Sequence, residues 1–518
     1  MRSNLSRKNL KKFLVHHAME PTNVLPDGDV GLRNHFARAF FARAKRNAEE
    51  DQVLDAVLFD DEEISDIKKA RTRRRPGGSN KKGRNKYKDS VWARMLQDNA
   101  DELATPGSEA AKTFRSRFRV PYPIFLKLLE MTNEWHYETK SDAAGRASIP
   151  TALKLLGVLR ILGRATCFDG ILELSGISVS TMQRFFHEFT AWFRKEVYPK
   201  FVSTPTTLSE LMDIQAAYAA LGLPGAIGSM DVVHLAWCMC PAFLANLATG
   251  KEGYPSIAYN VICDHQGRAL AVLTGAYGST NDKTIVRFDD FVDDVRCDDF
   301  FRDFQYEVRT GPEPHDRKME CGAWLIIDGG YHKWPETQAA SKVCSLPGYA
   351  EWRTQMESVR KDIECFFGRL KARFRILKTP ITFHKKSNID DLFFTCVGLQ
   401  NMLLDWDIEV GVRTSWEVEP EFGLFQNEED GDDGEGRLWS RPRLRRYGGT
   451  KETFVAQATD DFSDFGCASF PIGAAREIGR TQPGTGETAR YHEKQAKLVE
   501  HFKQMRASDA NRPMWLLS

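Results

Sequence analysis

No apolar run in this 518-residue chain approaches the roughly 20 residues of a membrane-spanning helix, so neither such a helix nor a membrane partner is expected. Nor does a secretory hydrophobic region open it. The first acid is Glu20, and the basic stretch before it leaves an organelle presequence as the weaker alternative. Net charge is nearly absent: 72 Lys and Arg stand against 71 Asp and Glu, and a balance of +1 says nothing about partners. The ten cysteines include no CxxC pair. Cys238 and Cys240 stand too close together for the usual zinc knuckle, so they read as reduced intracellular thiols. No internal repeat is seen. What the chain does have is length, enough for two or more domains with a real core.

Charge that cancels overall does not cancel locally. Residues 1–110 alternate charged blocks with short apolar patches and are expected to form a disordered basic/acidic arm. Within it, 68–88 (KKARTRRRPGGSNKKGRNKYK) holds eleven Lys or Arg and no acid. Such a block cannot fold on its own. It reads as a solvated arm that contacts phosphates, Arg73, Arg74 and Arg75 among them, or as a nuclear address; a solubilising tail is the alternative.

Over 111–200 the pattern is helical. FRVPYPIFLKLLEMT (118–132) puts Ile124, Leu128 and Met131 on one stripe, and ALKLLGVLRILGRAT (152–166) repeats the trait. In GILELSGISVSTMQRFFHEFTAWF (170–193) a short helix, a turn at Gly176 and a second helix opened by Ser178 or Ser180 resemble a helix-turn-helix. There Ser180, Thr181, Gln183 and Arg184 would face a groove, although any tight helical hairpin gives the same text.

Strands follow over 220–410. AIGSMDVVHLAW (226–237) reads as a buried strand delivering one acid, Asp231, between apolar neighbours. A buried charge without a partner is costly, and a metal ion is one way to compensate it; a capping role at a turn is the bland alternative. SIAYNVICD (256–264) and ALAVLTGAYG (269–278), joined by a short Gly-containing link, form a hairpin and extend this to three antiparallel strands. Asp264 is assigned to that hairpin turn. AWLIIDGG (323–330) is a further strand ending in Asp328, with a Gly-Gly exit that permits a sharp turn. The best helix spans 351–378, its apolar stripe running through Ile363, Phe367 and Phe374, with Glu364 at the stripe's edge. From Gln355 to Lys386 nine Lys or Arg face three acids, an imbalance that favours a polyanion. Lys371, Arg373 and Arg375 are assigned to phosphate contact. Residues 411–518 read as a largely disordered tail with one short helix near 492–505. His234 reads as a core histidine with one hydrogen bond, with a ligand role as the alternative, and Asp282 as a helix N-cap, with support of the site as the alternative.

Three acids therefore stand out: Asp231, Asp328 and Glu364. Two-metal phosphoryl transfer needs several carboxylates around ions roughly 3.5–4 Å apart, and hard oxygen ligands suit Mg²⁺, with Mn²⁺ as an alternative. Acids on strand ends and an adjacent helix converge on one sheet edge.

Four segments in this order, GSMDVVHLAWCMCP (228–241), YGSTND (277–282), LIIDGGYHKWP (325–335) and VRKDIECFFGRLKARFRIL (359–377), resemble the PIF/Harbinger-type transposases and their host-derived nuclease relatives of the DDE superfamily. Asp328 and Glu364 have 35 residues between them, as a D-35-E-like arrangement would. The resemblance covers roughly 115–405. It implies an α/β, RNase H-like catalytic domain with a mixed sheet flanked by helices, preceded by a small helical region. It also implies a catalytic triad of Asp231, Asp328 and Glu364 that binds two Mg²⁺ ions, double-stranded transposon-end DNA as substrate, and work in the nucleus beside a Myb-like DNA-binding protein. Homo-oligomerisation is left open. His332 stands where the family often has Pro. The competing readings are a domesticated DNA-binding or scaffold protein without turnover and, more weakly, an RNase H-like hydrolase of RNA.

Overall fold

The β-branched and aromatic residues between Ala226 and Ala339 build one mixed sheet. The computed structural model describes residues 87–136, 148–313, 315–340, 346–409 and 484–508, all within the second of the two units, 1–79 and 80–518, into which the chain divides. Arg73, Arg74, Arg75 and nearly all of the basic arm lie outside the described residues.

Among the described residues eight α-helices precede the sheet, the first seven being α1 (Val91–Asp98), α2 (Ala100–Ala104), α3 (Glu109–Phe118), α4 (Tyr122–Trp135), α5 (Thr151–Arg164), α6 (Phe168–Ser175) and α7 (Val179–Trp192). Their ends follow from local chemistry. The Ser108 hydroxyl accepts from the Ala111 N–H at 3.0 Å to open α3, and Ser178 does the same for α7 with Thr181 at 3.3 Å. Gly176, at φ 69°, stops α6 in the left-handed region. Helix α8 (Leu208–Ala220) begins with a capping box between Thr207 and Glu210.

The sheet comprises β1 (Ala226–Ala236), β2 (Ser256–Cys263), β3 (Ala269–Val272), β4 (Ala276–Tyr277), β7 (Trp324–Ile327) and β8 (Thr337–Ala339), in the order β3-β2-β1-β7-β8 with β4 also on β2. A separate hairpin pairs β5 (Gln305–Arg309) with β6 (Arg317–Cys321). β1 runs antiparallel to β2 and parallel to β7, and β8 is parallel to β7. The expected run of three antiparallel strands and the later strand ending at Asp328 share this one sheet. Short helices α9 (Asp282–Val286) and α10 (Asp290–Cys297) follow β4, and the long helices α11 (Tyr349–Arg373), α12 (Lys386–Glu409) and α13 (Thr485–Ser508) complete the described chain.

All of β2 is buried, so both sheet faces are covered. Side chains alternate between two cores, as strand geometry requires. Val233, Leu235, Tyr259 and Val261 join Ile363, Phe366, Leu370 and Phe374 of the α11 segment and the helices of 91–192. Met230 and Ile262 join Phe291, Val292 and Val295 of α10, the first half of α11, and Leu498, Val499 and Phe502 of α13.

These cores redraw the expected domain boundaries. The helical stretch at 111–200 does not stand apart: Phe114, Leu156, Phe186 and Phe193 share a core with the sheet. The expected arm over 1–110 overruns the fold, because Trp92 and Leu103 are already buried there. The helix expected near 492–505 is 24 residues long and packs into the second core, so it is no appendage to a tail; 411–483 lie outside the described residues. Gly329 and Gly330 leave β7 without a positive φ, so their backbone freedom is not what makes that exit.

Candidate active site

β1 carries Asp231 in mid-strand, opposite Val261 of β2, where the sequence suggested a strand end. The pairing of β1 with β7 matches Ser229 to Ile326. Asp231 follows that pair by two residues on β1, and Asp328 follows it by two just past the end of β7. The two carboxylates feel each other. Burial first, and then the Asp328 charge, push the Asp231 carboxyl above the ordinary range, while the Val232 N–H, Arg360 and Tyr331 pull it down. Asp231 Oδ1 accepts from the Val232 N–H at 2.9 Å and from the Tyr331 hydroxyl at 3.3 Å.

Glu364 comes from α11, and its side chain remains half exposed. Four residues earlier on the same face, Arg360 places Nη2 2.7 Å from Glu364 Oε1 and Nη1 4.0 Å from Asp231 Oδ2. Asp231, Arg360 and Glu364 therefore form a chain of alternating charge, and exposed Asp328 adds its charge to the surroundings of Asp231. Among the described residues no group of three or more His, Cys, Asp or Glu is drawn close enough to hold a metal ion. The three carboxylates nevertheless have the right donor chemistry for a hard divalent cation. They stand on neighbouring elements, and a guanidinium bridges two of them, Asp231 and Glu364.

Sequence reasoning missed two members of this neighbourhood, Tyr331 and Arg360, and preferred the wrong alternative for a third, Asp282. Tyr331 is buried, and its hydroxyl is held protonated first by burial and then by the Asp231, Asp282 and Asp328 charges. Its signal was the fixed offset of three from Asp328. Arg360 was signalled by its i, i+4 spacing to Glu364. Asp282 was taken for a helix cap, but the cap is Asn281, whose side chain accepts from the Lys283 N–H at 2.9 Å. Asp282 instead pairs with Lys251 at 3.0 Å and adds its charge to the Tyr331 surroundings.

The other candidates separate by exposure. Ser180, Gln183 and Arg184 are exposed on α7, Thr181 is half-buried, and Arg184 lies 3.8 Å from Glu188. Arg375 is exposed, and half-buried Lys371 has its ammonium pKa lowered first by burial, partly offset by Glu252. Arg373 does not face phosphate. Its guanidinium is buried, donating to Gln400 Oε1 at 3.0 Å and to Asp407 Oδ2 at 3.5 Å. The alternation of a helix end put it on the inner face while Arg375 lies beyond it. His234 has one hydrogen-bonding contact, Nδ1 to Ser256 Oγ at 3.1 Å, as a core histidine would. His332 is tied to the Lys283 carbonyl at 3.1 Å, and burial, with Arg287, lowers its pKa to about 4. Asp264 closes the β2–β3 turn by accepting from the Arg268 N–H at 2.8 Å.

Residues 200–410 match a family model described as plant transposon protein, a span that contains Asp231, Asp328, Tyr331, Arg360 and Glu364. The chain is also 22% identical over 310 residues to the Protein ALP1-like of Arabidopsis thaliana, covering 58% of this chain and 73% of that protein. Residues 200–410 are thus similar to transposon proteins of plants, as the four segments of the sequence suggested. No solved structure matches the chain. The matched span takes in the sheet, α11 and α12, and leaves α1–α7 and α13 outside, although both outer parts share its cores.

Proposed function

We propose that this protein is a Mg²⁺-dependent DDE endonuclease, with Mn²⁺ as substitute, that cuts and joins transposon-end double-stranded DNA in the nucleus. In this reading the domain is RNase H-like, supported by a sheet whose three antiparallel strands are followed by parallel ones. One observation supports the chemistry: Arg360 reaches both Asp231 and Glu364, while the Asp328 charge acts on Asp231.

Asp231, Asp328 and Glu364 would hold the cations. Bound there, divalent ions would activate the attacking oxygen and stabilise the leaving one. The chain's own residues do the rest. Tyr331 fixes the Asp231 carboxylate by donating to it, Arg360 offsets the acids' charge, and Lys371 and Arg375 hold the DNA backbone. The basic arm at 68–88 supplies nuclear entry or nonspecific DNA contact, and a Myb-like protein supplies sequence choice.

The test is the purified full chain on terminal-repeat DNA, with a Myb-like partner supplied, wild type beside Glu364→Gln. The variant keeps shape and loses one negative charge, so DNA binding should persist while cleavage falls by about a hundredfold or more. Equal cleavage by the two removes Glu364 from catalysis. Absence of cleavage by wild type favours the second reading, a domesticated DNA-binding protein without turnover. That reading draws on Arg360, which pairs with Glu364 at 2.7 Å and lies 4.0 Å from Asp231.

A further inference from the structure

We propose that Cys321 and Lys494, which line one cleft of about 240 Å³ between β6 and α13, are an acyl-acceptor pair: the thiol takes a short acyl group from a thioester and hands it to the lysine amine. This modification site lies outside the candidate active site and does not rest on the nuclease reading.

Helix α13 carries Lys494 into the cleft, where its Nζ donates to the Gly322 carbonyl at 2.7 Å. Gly322 directly follows Cys321, the last residue of β6, so the amine is held at the backbone next to the thiol's own residue. The approach is close: a Cβ on Gly322 would lie 3.3 Å from Nζ. Gly322 also turns the chain at φ 92°, a value that suits glycine. Cys321 is a free thiol and exposed, so a reagent arriving from solvent meets it first.

Lys494 is harder to reach and harder to charge. Among the described residues no carboxylate forms an ion pair with it; on the same helix Lys497 takes Glu320 and Glu493, each at 3.1 Å. Burial lowers the Lys494 ammonium pKa to about 8, with Lys497 adding to the fall and Glu336, Glu320 and Cys321 opposing it. Near pH 8 about half of such an amine is unprotonated and nucleophilic, against under about 1% of an ordinary lysine.

The two groups divide the work. The Cys321 thiolate attacks the thioester carbonyl, a C–S bond to Cys321 forms, the carrier's C–S bond breaks, and the carrier leaves as its thiolate. The Lys494 amine then attacks the same carbonyl. The C–N bond forms, the new C–S bond breaks, and the amine's proton ends on the Cys321 sulfur. The resulting amide keeps one N–H for the Gly322 carbonyl. Holding the amine and the acyl group in one cleft makes the second step intramolecular. Arg302 and Arg490 line the cleft as well, and exposed Arg490 offers its guanidinium fork to phosphates. The donor class is therefore an acyl thioester of a phosphorylated carrier.

The experiment incubates the full-length protein with acetyl-coenzyme A at pH 8 and follows site occupancy by peptide mass spectrometry, for wild type, Cys321→Ser and Lys494→Arg. In wild type, Lys494 should acetylate about tenfold or more faster than exposed Lys112 and Lys195. Cys321→Ser should remove most of that advantage and leave Lys112 and Lys195 unchanged. Lys494→Arg should strand the acetyl group on Cys321, where hydroxylamine releases it. Thermal melts check that both variants fold; Cys321 is exposed, so the serine variant alone suffices if the arginine variant fails to fold. Acetylation of Lys494 no faster than that of the exposed lysines overturns the proposal. So does an unchanged Lys494 rate in Cys321→Ser, which would make the lysine a direct acceptor without the thiol.

Discussion

Arg373 and Arg375 are two residues apart in a basic stretch, yet replacing each by Ala should give opposite results. Arg373 is 6% exposed and meets Asp407, which is 1% exposed. Burial raises the Asp407 carboxyl's pKa, and Arg373 is the largest influence pulling it back, ahead of Arg115 at 3.2 Å. Removing one partner of a buried pair costs about 3–5 kcal/mol. Arg115 remains, so about 3 kcal/mol is expected, including the loss of the Gln400 bond. For a domain above 200 residues this corresponds to a fall of roughly 6–10 °C in melting temperature. Arg375→Ala should leave the melting temperature within about 1 °C, since exposed changes of this kind cost little, and should weaken DNA binding instead. Arg373→Met combined with Asp407→Leu should recover part of the loss, because a buried pair can be replaced by apolar groups at little cost. Calorimetry and salt-dependent DNA binding on the same preparations decide the matter. If Arg373→Ala melts like wild type and loses DNA affinity, the buried assignment is wrong.

A second pair of expectations concerns the two cores. Burial raises the Asp289 carboxyl from 3.8 to about 6, against the pull of Asn260 and the Val292 N–H. A raised folded-state pKa means that this group's contribution is fully present below about 4 and is lost as pH rises through 6. Urea unfolding of Asp289→Asn, which can still cap α10, should therefore gain roughly 1 kcal/mol on wild type between pH 5 and pH 7.5, and an invariant difference refutes the shift. Phe502→Ala on α13 should cost about 3–4 kcal/mol, because the ring is 3% exposed. A loss under about 1 kcal/mol would mean that α13 is only loosely attached.

Periodicity made the elements of the sheet legible. The strand at 226–237, the hairpin after it and the strand ending at Asp328 all announce themselves by apolar runs and turn residues, and the pairing of β1 with β7 then follows from the fold. The acids were legible because each interrupts or edges an apolar pattern. Side-chain direction at helix ends was less so: a count of charges between Gln355 and Lys386 cannot tell buried Arg373 from exposed Arg375. Nor could local pattern reveal that α13 closes the second core from more than a hundred residues beyond α11. That depends on a long-range fit, seen at Gly222, where φ is 79° and a Cβ would lie 2.6–2.7 Å from Met505 and Phe502. The glycine reads locally as a turn, and its packing partner is invisible in the sequence.

The same distinction bears on the three acids. Sequence spacing can bring Asp231, Asp328 and Glu364 to one edge, but cannot say what neutralises them there. Two like charges about 4–5 Å apart near a protein surface repel by roughly 3–4 kcal/mol at an effective dielectric of 20. A cluster of three acids with no cation would therefore spread or take up protons, and the upward shift of Asp231 has the sign of the second response. Arg360 supplies a cation from within the chain, in contact with Glu364 and within 4.0 Å of Asp231. It leaves Asp328 exposed and unneutralised at the outer side. A guanidinium carries one charge and has no coordination position for water, so it offsets the acids without supplying the Lewis acidity of a divalent ion. The nuclease reading thus requires Arg360 to yield Glu364 when the ions bind, whereas the silent reading lets it stay. The two readings differ at one ion pair, 2.7 Å long, on a single face of α11.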